Sequence, residues 1–416
     1  MSIKNQIIHI VGGGVSGLIA ARVLEDNGFD PVIIEATERI GGRLKTDLVD
    51  GYQLDRGFQV LLTAYPAVRK YLDTDELNLQ TFVPGAAIFN KGKHTTIGDP
   101  LRDISLLFST LGSGIGNLSD KIKVLKLNNL LKRKTLPEIF EATERTTQFY
   151  LTDFGFSSQM INQFFTPFFA GIFLEPDLTT SSRMFEFIYK MFGEGYAALP
   201  KSGIEAIPKQ LAKGLTRTEF RFNTKVSSIK NGQLLLSTGE NIKNDFSIVA
   251  TDATDLIPNL NGLATQWKSC DTLYFETQTR VIKKPLIGLF PDSEALINNI
   301  FFHTSLEMTS KSQGELLSVT IVKNHDLSEE ALILHVKSEL KMHSGIDSTR
   351  FLKRYTISMA LPDLKNIQNE IHPSETKLSS NIFLAGDTQL NGSLNAAMLA
   401  GESAALGVIE AIKGSL

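Results

Sequence analysis

The sequence predicts an α/β protein built on a parallel sheet, and three observations predict it. An apolar strand, Ile7 to Val11, runs directly into Gly12-Gly13-Gly14-Val15-Ser16-Gly17 and then into a helical pattern. A second strand, Pro31 to Glu35, ends in an acid eighteen residues after Gly17. Near the other end of the chain, Asn381-Ile-Phe-Leu-Ala-Gly386-Asp387 repeats the strand-to-glycine pattern ahead of an alanine-rich helix.

Each part of the glycine loop has its own task. Gly12 permits the tight turn after the strand, Gly14 lets backbone approach a pyrophosphate, and Gly17 lets the helix pack closely on the sheet. The helix start at Val15 and Ser16 then offers unpaired N–H groups and a positive dipole end to two phosphates without any lysine. Ala20, Ala21, Val23 and Leu24 give that helix an apolar face, and Gly28 can end it in a left-handed conformation. Glu35 stands at the spacing where an acid accepts hydrogen bonds from adenosine ribose hydroxyls, and its charge disfavours the 2′-phosphate of NADP.

The segment Glu35-Ala36-Thr-Glu-Arg39-Ile-Gly41-Gly42-Arg43 has no place in a generic NAD site. It resembles the signature of an FAD superfamily that includes amine oxidases, phytoene desaturases and protoporphyrinogen oxidases. The resemblance implies a Rossmann-type FAD-binding domain of the GR2 type with a discontinuous α+β substrate-binding domain. It also implies that Ala36 touches the cofactor, that Arg39 and Arg43 lie along the adenosine and pyrophosphate, and that Gly41 and Gly42 let the chain pass close by. A guanidinium suits that task as a planar, permanently charged phosphate ligand. The bland alternative is a surface turn with two solvated arginines.

Asp55-Arg56-Gly57-Phe58-Gln59 resembles the family segment that returns to the isoalloxazine ring, with Phe58 where the family usually has a second glycine. Phe58 could cover part of the ring or point into the core. By the same resemblance Val226 meets the adenine through its backbone, and the strand Phe246 to Thr251 ends at the dinucleotide. Asp387, after Gly386, meets the ribityl chain or pyrophosphate. The helix beginning at Ser393-Leu394-Asn395 aims its N-terminus at the flavin pyrimidine oxygen, where reduction gathers negative charge. Arg354 to Pro362 resembles the protoporphyrinogen oxidase and desaturase branches more than the amine oxidases. The C-terminal motif lacks the cysteine that tethers flavin in monoamine oxidases, so FAD is expected to bind non-covalently.

A chain of 416 residues exceeds one usual core, and two domains are expected. The cofactor domain is assigned 1–73, 199–260 and 345–416, and the substrate domain 74–198 and 261–344. With 42 basic and 45 acidic residues, nothing suggests nucleic acid as a partner. The single cysteine, Cys270, excludes an internal disulfide, and the seven scattered histidines form no ligand spacing, so no metal is expected. Met1 to Gln6 is polar and no apolar run spans a bilayer, which predicts a cytoplasmic, soluble protein with peripheral membrane contact left open.

From Thr74 to Ala198 the pattern is mostly amphipathic helix, including Leu101 to Lys134. The densest aromatic cluster, Phe164 to Phe173, is either domain core or the wall of an apolar substrate cavity. Strands are expected around Phe220 to Ile229 and Gln233 to Ser237, paired through an Asn231-Gly232 turn, and around Thr279 to Ile282, Leu286 to Phe290 and Leu316 to Val322. Lys283, Lys284 and Lys323 are possible counterparts of the lysine that many amine oxidases hold near the flavin, but no local motif selects one, and no catalytic side chain is assigned.

The function these features imply is an FAD-dependent oxidoreductase that takes a hydride from a mainly apolar small molecule onto flavin N5. Its type is that of the desaturases or protoporphyrinogen oxidases. No second GxGxxG serves a nicotinamide, so oxygen, a quinone or another electron acceptor is expected to reoxidise the flavin. The alternatives are an amine oxidase, a redox-neutral flavin isomerase, and a non-enzymatic prenyl-binding protein of the GDI kind, which shares the fold without using flavin.

Overall fold

The computed structural model describes residues 6–90, 92–98, 114–230, 232–257, 260, 264–309, 313–347 and 349–414. The expected helical stretch Leu101 to Leu111 and the turn residue Asn231 lie outside the described residues.

Ile8–Val11 is buried along its whole length because it is the central strand of a parallel sheet. Val32–Ile34 pairs on one side and Phe246–Val249 on the other. Glu219–Arg221 and Ile382–Leu384 form the two edges of this five-stranded sheet. A parallel sheet must be covered on both faces, which is why these strands read as continuous apolar runs. Ile8, Ile10, Ile33 and Ile248 face the helices Val15–Asp26 and Leu394–Gly414. Val11, Ile34 and Val249 face a three-stranded antiparallel sheet of Val226–Lys230, Gln233–Leu236 and Asn241–Lys243.

The single strand expected over Phe220 to Ile229 is therefore two. Asn223 sits at φ +52°, outside extended geometry, and the chain turns there from the parallel sheet into the antiparallel one.

A second sheet has seven strands, in the order Arg350–Pro362, Trp267–Thr277, Glu315–Ile321, Ile297–Phe302, Ile287–Leu289, Gly85–Asn90 and Lys93–Gly98. All neighbours are antiparallel except Ile287–Leu289 with Gly85–Asn90. Helix Glu329–Glu339 covers one face through Leu332 and Val336 against Phe275, Phe302 and Leu317. Helices Leu118–Arg133, Thr147–Asp153, Thr166–Phe173 and Ser182–Glu194 form a separate layer.

Several expectations are corrected here. The region after Thr74 opens with strands rather than helices, because Gly85–Asn90 and Lys93–Gly98 close as a hairpin. Thr279 to Ile282 is irregular: Arg280 turns aside to bond the Thr304 carbonyl and Glu315. Trp267–Thr277 and Ile297–Phe302 were not anticipated; in the latter Asn298-Asn299 interrupts the apolar run while the strand stays wholly buried. Arg350–Pro362 belongs to the stretch 345–416 assigned to the cofactor domain, yet it pairs with Trp267–Thr277 in the seven-stranded sheet. Among the described residues no helix is long and apolar enough to cross a membrane, and no cluster of His, Cys, Asp or Glu could hold a metal ion.

Candidate cofactor and substrate site

The glycine loop is fixed by contacts that admit no side chain. Gly12 has φ +109°, and a Cβ there would stand 2.8 Å from the Ala250 carbonyl oxygen. At Gly17 a Cβ would meet the Gly12 carbonyl oxygen at 2.1 Å, so the helix rests directly on its own loop. Glu35 closes the loop from the second strand: its Oε2 accepts the Gly13 N–H at 2.8 Å, and its Oε1 accepts the Thr37 N–H at 2.9 Å and hydroxyl at 2.7 Å.

The helix Val15–Asp26 starts at Gly14 with no side-chain cap, and the buried Ser16 Oγ has no hydrogen-bond partner. A buried polar atom without a partner is costly, and an anion at this helix end would satisfy it together with the first N–H groups. Gly42 runs alongside at φ +57°, where a Cβ would lie 3.3 Å from the Gly14 Cα. These are the features a dinucleotide pyrophosphate requires, so the residues present fit FAD.

Arg43 ties the two ends of the chain together. Its Nη2 donates to Asp387 Oδ1 at 2.5 Å, its Nη1 to the Ala360 carbonyl at 3.2 Å, and its guanidinium lies 5.3 Å from the centre of the Trp267 ring. Arg39 behaves differently from the expectation that it lies along the cofactor. Its Nε bonds the buried Glu205 at 2.8 Å, its Nη2 bonds Asp47 at 2.6 Å and its Nη1 reaches Glu38 at 3.2 Å, which holds it off the cavity wall. Asp47 also binds Arg56 and the Tyr355 hydroxyl. Partial burial disfavours its charge, but the bonds from Arg56, Arg39 and Tyr355 outweigh that and hold the carboxyl well below the usual range.

A cavity of about 2200 Å3 extends from this loop into the helical layer. Ligand pockets commonly hold roughly 300–1,000 Å3, so there is room for a dinucleotide and a further molecule. Of the expected cofactor residues, Gly12, Gly14, Val15, Ser16, Glu35, Gly41, Gly42 and Arg43 line it from the first segment, joined by Gly57, Phe58, Gln59 and Thr251. Gly386, Asp387, Ser393 and Leu394 line it from the C-terminal segment.

Five expected residues are not on its wall. Gly17 and Arg39 act behind it as described, and Ala36 is exposed. Val226 is buried in the core with Val11 and Ile34. Asn395 is wholly buried and accepts the Ala67 N–H at 3.0 Å, which anchors the C-terminal helix on Pro66–Tyr71.

Phe58 lines the cavity and packs against Phe82, Phe301 and His303 with ring centres 6.2, 5.3 and 6.0 Å away. Beyond it the cavity is walled by Val124, Phe164, Phe168, Ile172 and Phe192. Phe165 instead is pure core. Lys283, Lys284 and Lys323 do not line the cavity, whereas Lys268 does, with Nζ 3.0 Å from Thr180 Oγ1. Lys268 and Trp267 went unnoticed because their strand has no clean alternation; the chain's single tryptophan next to a lysine was the available signal.

Below the loop, Asp55 is fully buried, accepting the Thr46 hydroxyl at 2.6 Å and the Ile204 N–H at 3.0 Å. Burial pushes its carboxyl up to about 6, the Glu205 charge adds to the rise, and the two hydrogen bonds oppose it. The folded state thus holds this proton to higher pH than the unfolded chain does. Its contribution to stability is complete below about pH 4, falls as pH rises toward 6, and is gone above that. Asn keeps the acceptor without the charge. Between pH 4 and 7 the wild type should therefore lose about 2 kcal/mol relative to Asp55→Asn. Parallel curves of Tm against pH for the two proteins would refute this.

A family model described as flavin containing amine oxidoreductase matches residues 15–409. The chain belongs to this family. It is 24% identical over 265 residues to protoporphyrinogen oxidase 2 of Arabidopsis thaliana, covering 55% of this chain and 51% of that one. It is 27% identical over 264 residues to an L-amino-acid oxidase of Protobothrops flavoviridis, covering 59% and 50%. The chain thus spans about half the length of these curated relatives. In fold it is similar to an oxidoreductase from Methanosarcina mazei, with a TM-score of 0.73 at 15% identity over 97% of this chain and 100% of that one.

Proposed function

We propose that the protein dehydrogenates a mainly apolar small molecule held in the chamber walled by Phe164, Phe168, Ile172 and Phe192, passing the electrons on to oxygen, a quinone or another acceptor. The observation that carries the reading is the continuity of one cavity from the uncapped phosphate-loop helix to that aromatic chamber. Bound at the loop, FAD supplies a two-electron acceptor.

The chain's own part is to hold and to exclude. Ser16 Oγ and the first N–H groups of Val15–Asp26 bind the pyrophosphate, and Glu35 receives the ribose hydroxyls. The N-terminus of Leu394–Gly414 stabilises negative charge facing it. The phenylalanines orient an apolar substrate and keep water from it. Attachment is non-covalent: Cys270, the single cysteine, has its thiol pushed up to about 12 by burial and then by the Asp271 charge, so little nucleophilic thiolate forms.

Amine oxidation is the second reading, favoured by Lys268 on the cavity wall. Anaerobic mixing of the flavoprotein with carotenoid precursors, porphyrinogens, polyamines, aromatic amines and amino acids separates the two. An apolar, non-amine compound should bleach the visible flavin band, and bleaching by amines alone would overturn the leading reading.

A further inference from the structure

Among the polar groups on the cavity wall, one pair lies on neighbouring strands of the seven-stranded sheet. Asn299 and Thr320 stand opposite each other in register, are 1% and 4% exposed, and both line the cavity. Their orientation follows from a chain of bonds that begins at a helix. The Pro167 carbonyl can only accept, so it takes the Asn298 Nδ2 at 3.0 Å. The same Nδ2 then donates to Asn299 Oδ1 at 2.9 Å, which turns the Asn299 amide nitrogen toward Thr320 Oγ1 at 3.3 Å.

Gly171 makes room for this arrangement: a Cβ there would stand 2.8 Å from Asn299 Oδ1 and 2.9 Å from Asn298 Nδ2. Donor counting leaves two hydrogens over, the second N–H of Asn299 and the Thr320 hydroxyl. In a wall built from Phe168 and Ile172, donors without a partner carry a desolvation cost, and an acceptor brought to them is bound strongly.

We propose that Asn299 Nδ2 and Thr320 Oγ1 together bind an uncharged oxygen acceptor of the substrate, a ketone, ester or amide carbonyl, and so set its orientation in the chamber. This rests on the reading of the chamber as an apolar substrate site. Both donors are neutral, so a carboxylate buried there would lose its hydration without gaining a paired cation.

The test uses the FAD-loaded protein and two probes of one shape, 2-acetylnaphthalene and 2-isopropenylnaphthalene, titrated by calorimetry. The ketone should bind about tenfold more tightly than the hydrocarbon. Asn299→Leu and Thr320→Val should each weaken ketone binding and leave the hydrocarbon's Kd unchanged. Should Asn299→Leu fail to fold, because Asn298 loses its acceptor, Thr320→Val decides alone. Equal affinity of the two probes for the wild type, or a ketone preference that survives Thr320→Val and any folded Asn299→Leu, would overturn the proposal. Failure of both probes to bind would instead overturn the apolar-chamber reading, and this inference with it.

Discussion

Gly401→Val should yield a protein that is purified without flavin. A Cβ at position 401 would stand 2.2 Å from the Ser16 carbonyl oxygen, and that obstacle is backbone rather than a side chain that could swing away. The two helices in contact there are Val15–Asp26 and Leu394–Gly414, and the start of each lines the cavity through Val15, Ser16 and Leu394. Forcing them apart would cost more than the roughly 1–3 kcal/mol of ordinary overpacking, and it would move both helix ends away from the cofactor together. Gly414 lies on the same helix with nothing within 4 Å of its Cβ position, so Gly414→Val is the control. The ratio of visible flavin absorbance to protein absorbance should collapse in the first variant and stay at the wild-type value in the second. Full flavin content in Gly401→Val would contradict the close helix contact.

Two neighbouring phenylalanines should respond oppositely to the same substitution. Phe169 also reaches the cavity wall but is 1% exposed, with ring centres of Phe185, Phe168 and Phe173 at 4.7, 5.2 and 5.4 Å. Truncating such a residue costs about 3–5 kcal/mol and a buried charge adds to that, so Phe169→Asp should unfold the helical layer. Phe168 is only partly buried, stands on the cavity wall, and meets Phe164 and Phe192 at 5.6 and 5.5 Å. Phe168→Asp should stay folded and keep FAD. It loses the roughly 2–3 kcal/mol that a buried aromatic gains on leaving water, which lowers kcat/KM for an apolar substrate by about 30- to 150-fold. Wild-type turnover by Phe168→Asp would remove the chamber from the account; a stable Phe169→Asp would remove that residue from the core.

The cofactor half of the site was legible because its tasks are backbone tasks at fixed spacing. Gly17 and Glu35 act through neighbours within one βαβ unit, Gly12 also meets the Ala250 carbonyl at the end of the adjacent strand, and Gly386-Asp387 marks the end of a strand in the same sheet. Arg39 shows where local reading stops. As a cation after a glycine-loop acid it resembles a phosphate ligand, but Asp47 and Glu205 compete for it, and Glu205 arrives from 166 residues away. The chamber was legible only as an aromatic excess. Phe165 and Phe168 are the same residue type three positions apart, and residue type alone does not say that the first is buried in the core and the second stands on the cavity wall. Asn299 carries no local pattern of its own, since its meaning depends on Pro167 and Thr320, neither adjacent in sequence.

The central claim is that one FAD sits non-covalently between the Gly12–Gly17 loop and the start of the C-terminal helix. Acid precipitation of the purified protein, with chromatography of the supernatant, tests it most directly. The expected result is FAD released in nearly one-to-one ratio to the chain. A colourless protein that takes up no added FAD, or a flavin that remains in the precipitate, would contradict it.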